Sequence, residues 1–397
     1  MKKILLPALL LFIAIVTRAN SPEGFWDSPD AYLGQVQPGE IPVKFAPNLL
    51  ADSLGFSASK VAFTRDGKEF YYCYNRTWAN NDYLKIKYFK YQNGAWKGPF
   101  TINEHRNSPV LSPDEKTLYF VGRGARAWQS HRTANGWSEP TTFFEQHVMY
   151  GLVPTNSGII YTGSNEFVGA EQKPCNLDVS TISITGTDTV FHSLGVPVNS
   201  PGWNGDFFVS SDESFIIIST KESDGGNCEL YLSYRKPDKT WTNPKSLGPI
   251  INNDVAHRYG QYVTNDKKFL FYCYAHTEKD CAVYWVRFDH LYDSLKHTNF
   301  EPYVLDSVKD QSIVAGKTFS IPVPSKIFVD DDGANTLTYT ATLSDGSSLP
   351  AWLHFDTAKQ NIYGEAPVAG TYNITIIATD NAKAQAASSF TLAVKEN

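Results

Sequence analysis

Three histidines fall in one column when the chain is aligned on itself. With Asp66, Asp114, Asn156, Asp212 and Asp266 as anchors, five sequence units place Ser57, His105, His147, Trp203 and His257 at the same offset, in a chain with only nine His. The adjacent column holds Ala58, Arg106, Val148, Asn204 and Arg258. Converging imidazoles are ligands for zinc or a transition metal. Joined by two guanidiniums, they could instead cradle a carboxylate such as that of an acidic sugar. A His-bound metal beside Arg would suit proton abstraction next to a carboxylate, which is lyase chemistry. Asp206 lies close enough in register to act as a general base, with Gln261 near the same strand position, and Trp203 could stack on a sugar ring. The plainer reading makes the same residues the lining of a wet channel, with Asp206 in an ordinary ion pair and Trp203 in packing. No Ser-His-Asp pattern, phosphate-cradling Gly loop or His-Glu-x-x-His string is present.

What must position this column is a repeat. TRDGKEFYY (64–72), SPDEKTLYF (112–120), PTNSGIIYT (154–162), SSDESFIII (210–218) and TNDKKFLFY (264–272) recur with anchor intervals of 48, 42, 56 and 54 residues. That spacing is characteristic of repeated four-stranded units. Each reads as an alternating strand, an Asp/Asn/Gly turn, an aromatic strand and two more strands, so antiparallel hairpins are expected. A Trp followed three residues later by Pro recurs at Trp96, Trp137 and Trp241, a pattern suited to an outer strand that seals neighbouring sheets. The last unit has no such strand, whereas Pro42–Leu50, ahead of the first unit, resembles one. The N-terminal segment is therefore expected to complete the last unit and close a ring.

These repeats resemble the WD-like β-propeller repeats of the TolB type over residues 42–303. The resemblance implies an all-β, five-bladed propeller, or a six-bladed one if the weakly patterned stretch 165–200 holds a further blade. Unit three lacks both the Asp turn and the Trp-x-x-Pro strand. TolB-type propellers include partner-binding proteins of the cell envelope and some polysaccharide-degrading enzymes, so the fold leaves the activity open.

From residue 304 to 397 the texture changes. FVDDDGANTLTYTATLSDGSSLPAWLHFD (328–356), YGEAP (363–367) and YNITIIATD (372–380) resemble a dystroglycan-type cadherin-like domain, which implies an immunoglobulin-like β-sandwich with Trp352 in its core. The same resemblance makes Asp330, Asp332 and Asp380, with Asp331 as an addition, calcium ligands, since hard carboxylate oxygens suit that ion. The acidic residue often found after the Gly is here Ala334. A solvated Asp turn is the alternative.

Residues 1–19 read as a secretory signal: Lys2 and Lys3, an apolar run from Ile4 to Val16, then Thr17-Arg18-Ala19. Residues 20–41 form an arm ahead of the repeats, and no later run approaches the length needed to span a bilayer. A net charge of −6 without a basic run offers nothing to nucleic acid or an anionic membrane. Five cysteines leave at least one unpaired in an oxidising compartment, and Cys273–Cys281, flanking one turn, is the preferred bridge over five buried thiols.

Together these features point to an exported protein, periplasmic or released, that binds or scaffolds without catalysis. Its propeller mouth would engage a protein or glycan, and the cadherin-like module would serve as spacer or adhesion unit. The competing reading is a carbohydrate-active enzyme, a polysaccharide lyase or hydrolase, built on the His-lined mouth.

Overall fold

The computed structural model describes residues 24–77, 83–122, 126–147, 149–164, 178–186, 188–199, 204–220, 227–333 and 336–396. The expected signal segment, Trp203, Cys175, Ala334 and residues 165–177 lie outside them. Each repeat unit forms one antiparallel sheet. The first comprises Phe56–Phe63, Glu69–Asn75, Lys85–Gln92 and Ala95–Glu104, in that spatial order. The second comprises Asn107–Leu111, Thr117–Val121, Arg126–Thr133 and Thr141–His147, with Gly136–Trp137 paired on its side. The third is Met149–Pro154, Ile160–Ser164, Asp178–Thr185 and Asp188–Ser193, and the fourth Asn204–Val209, Phe215–Thr220, Glu229–Tyr234 and Lys245–Ser246. The fifth takes three strands from the last unit, His257–Val263, Phe269–Ala275 and Ala282–Arg287. Its fourth is Val43–Lys44, paired antiparallel with Trp285 and Tyr284.

The repeated Asp is a turn device. Thr64 Oγ donates to Asp66 Oδ1 at 2.7 Å, Lys68 N donates to the same oxygen at 3.0 Å, and Glu69 N returns to Thr64 Oγ at 2.9 Å. Ser112 with Asp114 and Thr264 with Asp266 repeat this geometry. The residue after each Asp turns left-handed, at Gly67 (φ 75°), Glu115 (58°), Glu213 (56°) and Lys267 (61°). The hydroxyl two residues before the Asp thus belongs to the repeat, since it satisfies the backbone where the chain reverses.

The second strands show why the units cannot stand alone. Glu69–Asn75 is buried along its whole length, as are Phe215–Thr220 and all but one residue of Phe269–Ala275. Both faces of these strands therefore need cover. Neighbouring sheets supply it, which is why the sequence there runs nearly continuously apolar and aromatic. The first strand of each sheet packs against that of the next, and the fifth against the first.

The arm ahead of the repeats seals this last junction. Tyr32 is fully buried among Phe63, Phe269 and Trp285, and Phe45 lies edge-on to Phe63, Phe70, Phe271 and Trp285. Trp26 Nε1 donates to Arg65 O at 2.8 Å, and Trp96 Nε1 to Asp30 O at 2.7 Å. The expected outer strand over Pro42–Leu50 is short: after Val43–Lys44 the chain makes a helical turn, Pro47–Leu50, begun by Pro.

Trp137 and Trp241 do seal sheets. Arg132 stacks on Trp137 with their partners in the first sheet: Trp137 Nε1 donates to Tyr71 OH at 3.3 Å, and Arg132 to Glu69 at 2.9 Å. Arg235 on Trp241 repeats the arrangement against Tyr161 of the third sheet.

A short helix, Asp289–Lys296, leads out of the fifth sheet. Beyond it, Gln311–Val314, Gln385–Lys395, Gly370–Thr379 and Thr338–Leu343 form a four-stranded sheet, and Thr318–Pro322, Asn361–Glu365 and Leu353–Asp356 a three-stranded one. Ile321, Ile362, Ile374, Ile376 and Leu392 fill the space between them, with Trp352 half-buried against Phe319 and Tyr372.

Candidate functional site

The inner strands share a kink. Pairing between the first and second strands slips at Ala58/Ala62, Asn107/Val110, Met149/Leu152, Asn204/Phe207 and Tyr259/Tyr262. Four of these bulges hold a left-handed residue: Ser59 (φ 67°), Ser108 (53°), Gly151 (90°) and Gly260 (68°). A bulge re-aims side chains that regular pleating would send between the sheets. At Gly260 a side chain would fall 2.5 Å from Ser59 O, so the close approach requires glycine.

What the bulges aim at the axis is an ion pair. Lys60 Nζ lies 2.5 Å from Asp206 Oδ1 and 2.5 Å from Phe207 O, with both side chains 3% exposed. Asp206 Oδ2 accepts from Gly260 N at 2.7 Å, and Oδ1 also from Phe207 N at 2.8 Å. The candidate general base is therefore a buried carboxylate whose oxygens are all engaged. The ion pair was the plainer reading of Asp206, and it joins the first, fourth and fifth sheets.

The structure places the three histidines of the column at the entries to the second, third and fifth inner strands. His105 (φ 58°) sits between the outer strand of the first sheet and the inner strand of the second, its N–H donating to Leu84 O at 2.7 Å. His147 ends the outer strand of the second sheet, opposite Arg126, two residues ahead of the inner strand of the third, as His105 stands two ahead of that of the second; its side chain lies outside the described part. His257 opens the fifth inner strand and stacks on Tyr259 with ring centroids 4.2 Å apart. Burial pushes its imidazole down to about 4, so it is neutral at neutral pH. Among the described residues, no three His, Cys, Asp or Glu side chains are grouped to hold a metal ion.

The two arginines diverge. Arg106 lies over Trp128 at 4.1 Å and donates to the Glu104 and His105 carbonyls, both at 3.3 Å. Arg258 is fully buried. Its Nε donates to Ile251 O (2.8 Å), one terminal nitrogen to the carbonyls of Cys228, Asp254 and Ala256 (3.1–3.3 Å), and the other to Asn253 Oδ1 (2.9 Å) and Asp254 Oδ1 (2.5 Å). Arg258 thus shapes the loop that enters its own strand and cannot cradle a ligand anion.

Its partner Asp254 begins an array that the column alignment did not contain. Asp254 Oδ2 accepts from Tyr274 OH at 2.5 Å and lies 3.0 Å from His276 Nε2, while His276 Nδ1 lies 3.0 Å from Asp280 Oδ2. An imidazole between two carboxylates bonds both only as imidazolium, and these hydrogen bonds, that to Asp280 first, raise its pKa. Half of the His276 side chain is exposed. One signal was available: Tyr74 occupies the same repeat position as Tyr274 and likewise bonds an entry-loop acid, Asp52, at 2.7 Å. Beside the array, between the fifth sheet and the segment 44–57, lies a cleft of about 370 Å3 with Asp52, Arg76, Glu278, Lys279 and Asp280 in its walls.

The expected Cys273–Cys281 bridge is not formed. Cys73, Cys228, Cys273 and Cys281 are buried free thiols. Cys273 donates to Ser59 O at 3.2 Å and Cys281 to Ser57 O at 3.6 Å, so carbonyls of the adjoining inner strand accept their hydrogen bonds. Burial pushes the Cys73 thiol up to about 12.

The expected calcium ligands do not fit that ion. Asp330 accepts from Asp332 N (2.9 Å) and Thr336 Oγ (2.5 Å), Asp380 from Ala384 N and Asn299 Nδ2 (both 2.8 Å), and Asp332 from Phe300 N (2.7 Å). Asp331 takes Lys236 Nζ at 2.8 Å and Asn243 N at 2.6 Å. Their oxygens face N–H and O–H donors, several from the segment and sheet that precede the domain. They dock the C-terminal domain rather than gather around a point.

Comparison with known proteins bears on this domain alone. Residues 302–395 match the family model described as "Putative Ig domain". No curated protein matches. Among solved structures, a putative alpha-galactosidase from Bacteroides fragilis NCTC 9343 aligns at 18% identity and TM-score 0.19, over 24% of this chain and 18% of that one. The extracellular domain of the putative hybrid two component system of B. thetaiotaomicron aligns at 9% and 0.35, over 86% and 44%. TolB from Acinetobacter baumannii aligns at 14% and 0.33, over 57% and 53%. The chain therefore spans less than two thirds of each. No helix among the described residues is long and apolar enough to cross a membrane. The chain is all-β, and its residues 302–395 are an Ig-like domain.

Proposed function

We propose that this is an exported, non-catalytic binding protein. Its five sheets are the blades of a TolB-type propeller, whose mouth engages a protein or glycan at the seam between the fifth and first blades, with the Ig-like domain as a docked spacer. The observation that carries this reading is the cleft of about 370 Å3 bordered by Asp52, Arg76, Glu278, Lys279 and Asp280. It offers acceptors and donors of both signs beside the Asp254–His276–Asp280 array, a lining suited to hydroxyl and amide groups. The residues that an enzyme would need are otherwise employed: Asp206 holds Lys60, and Arg258 holds its own loop.

The test is binding of the full-length protein to arrayed glycans and envelope peptides, compared with Arg76→Ala and Asp280→Asn. Binding lost in both variants, with no product released from any polysaccharide, is the expected result. Turnover that disappears together with a bound metal in His257→Ala would replace this reading with the enzyme.

A further inference from the structure

The outward face of the three-stranded sheet in the Ig-like domain holds side chains that the domain itself does not use. Along these strands Ile321, Leu353 and Ile362 point into the core, so alternate residues point out. His354 thus stands opposite Tyr363, with ring centroids 5.2 Å apart, and Thr318 stands opposite Glu365; all four are exposed. Trp352, one residue ahead of the strand Leu353–Asp356, joins them where Gly364 leaves room for its carbonyl. With Phe319 these residues line an open recess of about 330 Å3.

The polar groups of the recess are unspent. Among the described residues, none bonds Trp352 Nε1, the His354 ring nitrogens, Tyr363 OH, Thr318 Oγ or the Glu365 carboxylate. The indoles of Trp26, Trp96 and Trp137 differ, donating to Arg65 O, Asp30 O and Tyr71 OH. Docking of the domain uses Asp330, Asp331, Asp332 and Asp380, none of which borders the recess, and Tyr363 stays 43% exposed in the docked chain.

We propose that this recess binds a neutral pyranose ring of a glycan, which gives the Ig-like domain a role beyond that of a spacer. The C–H face of the sugar lies on the Tyr363 and Trp352 rings, whose π faces are electron-rich. Its hydroxyls donate to the Glu365 carboxylate, a charge-assisted contact, and pair with His354, Thr318 and the indole N–H. A quaternary ammonium ion would use the rings and leave those groups idle. Among the residues lining the recess, no Lys or Arg offsets Glu365, so a uronate would meet repulsion. The volume lies near the lower end for small-molecule sites and suits one or two sugar rings.

Cellobiose, lactose and mannobiose are the probes, with digalacturonic acid and choline as controls, in saturation-transfer NMR on the full-length protein. Saturable binding of at least one neutral disaccharide is expected, with neither control bound. Tyr363→Ala should weaken it about tenfold by removing one stacked ring. Glu365→Ala removes the acceptor without touching a ring, and it keeps the test open should Tyr363→Ala not fold. No saturable binding of any of the three, equal binding of either control, or unchanged binding to the folded variants overturns the proposal. The seam cleft is read separately by Arg76→Ala. Loss in Arg76→Ala with Tyr363→Ala unchanged would put the sugar at the seam, overturning this inference and supporting the first reading. Loss in Tyr363→Ala with Arg76→Ala unchanged assigns the sugar to the Ig-like domain, whatever the seam binds.

Discussion

The two ends of the five inner strands are built by different means. Where the chain enters the inner strands, polar side chains are satisfied largely by entry-loop groups: Arg258 bonds residues 251–256 of its own loop and Cys228 O, and His276 bonds Asp254 and Asp280. Toward the turns, side chains come from five strands far apart in sequence. There Gln261 has one acceptor with no partner in the protein. Between the two ends sits Lys60–Asp206, whose partners are separated by 146 residues. The difference teaches that loops which carry their own partners leave little chemistry open, whereas convergent strands can leave a buried acceptor unsatisfied.

Breaking the divider should have the largest effect. Lys60→Met leaves Asp206 as a buried unpaired carboxylate and should cost about 3–5 kcal/mol in denaturant unfolding, with most of the loss recovered in Lys60→Met/Asp206→Leu. A single variant as stable as the wild type would mean that the pair is hydrated, and the two ends one channel.

His257 and His276 sharpen the contrast through pH. His257, held near 4 by burial, takes its proton later in the folded state than in the unfolded chain, which protonates near 6.5. The unfolded state binds more protons between those values, so stability should fall as pH drops from about 6.5 to 4, by up to about 3 kcal/mol. His257→Phe should flatten that segment of the stability curve; an unaltered slope would show the imidazole to be solvated.

His276 has the opposite sign, because Asp280 and Asp254 raise its pKa. Its stabilisation is complete below the unfolded value and is lost as pH rises through the folded one. Exposure makes this the smallest effect, and His276→Asn should remove it without moving the acid side of the curve. The imidazole's NMR titration reads it directly: a midpoint at or below the ordinary histidine value would refute the paired imidazolium.

Much of the scaffold was legible. The anchors Asp66, Asp114, Asp212 and Asp266 mark real turns, because the hydroxyl and carboxylate that close each one lie within a few residues of each other. Unit three still forms a sheet without the Asp, since Asn156 and Gly158 turn the chain in their own way. His147 keeps the place that the alignment gave it, two residues ahead of the inner strand Met149–Pro154, as His105 stands two ahead of Asn107–Leu111, and the two bulges fall at the same offset. Arg258 and the calcium set did mislead. Residue type suggested a ligand, but the partners that consume them, Asp254 for the arginine and Asn299, Phe300 and Lys236 for the carboxylates, are visible only in space.

Periodicity by itself determined the all-β architecture, the repeat units, the strand borrowed from the N-terminus and the change of domain near residue 303. These follow from local alternation and turn chemistry. Only the tertiary structure decided which polar groups are spent. Satisfaction of a buried donor or acceptor depends on what the bulged inner strands bring to the axis, and sequence separation does not encode that distance.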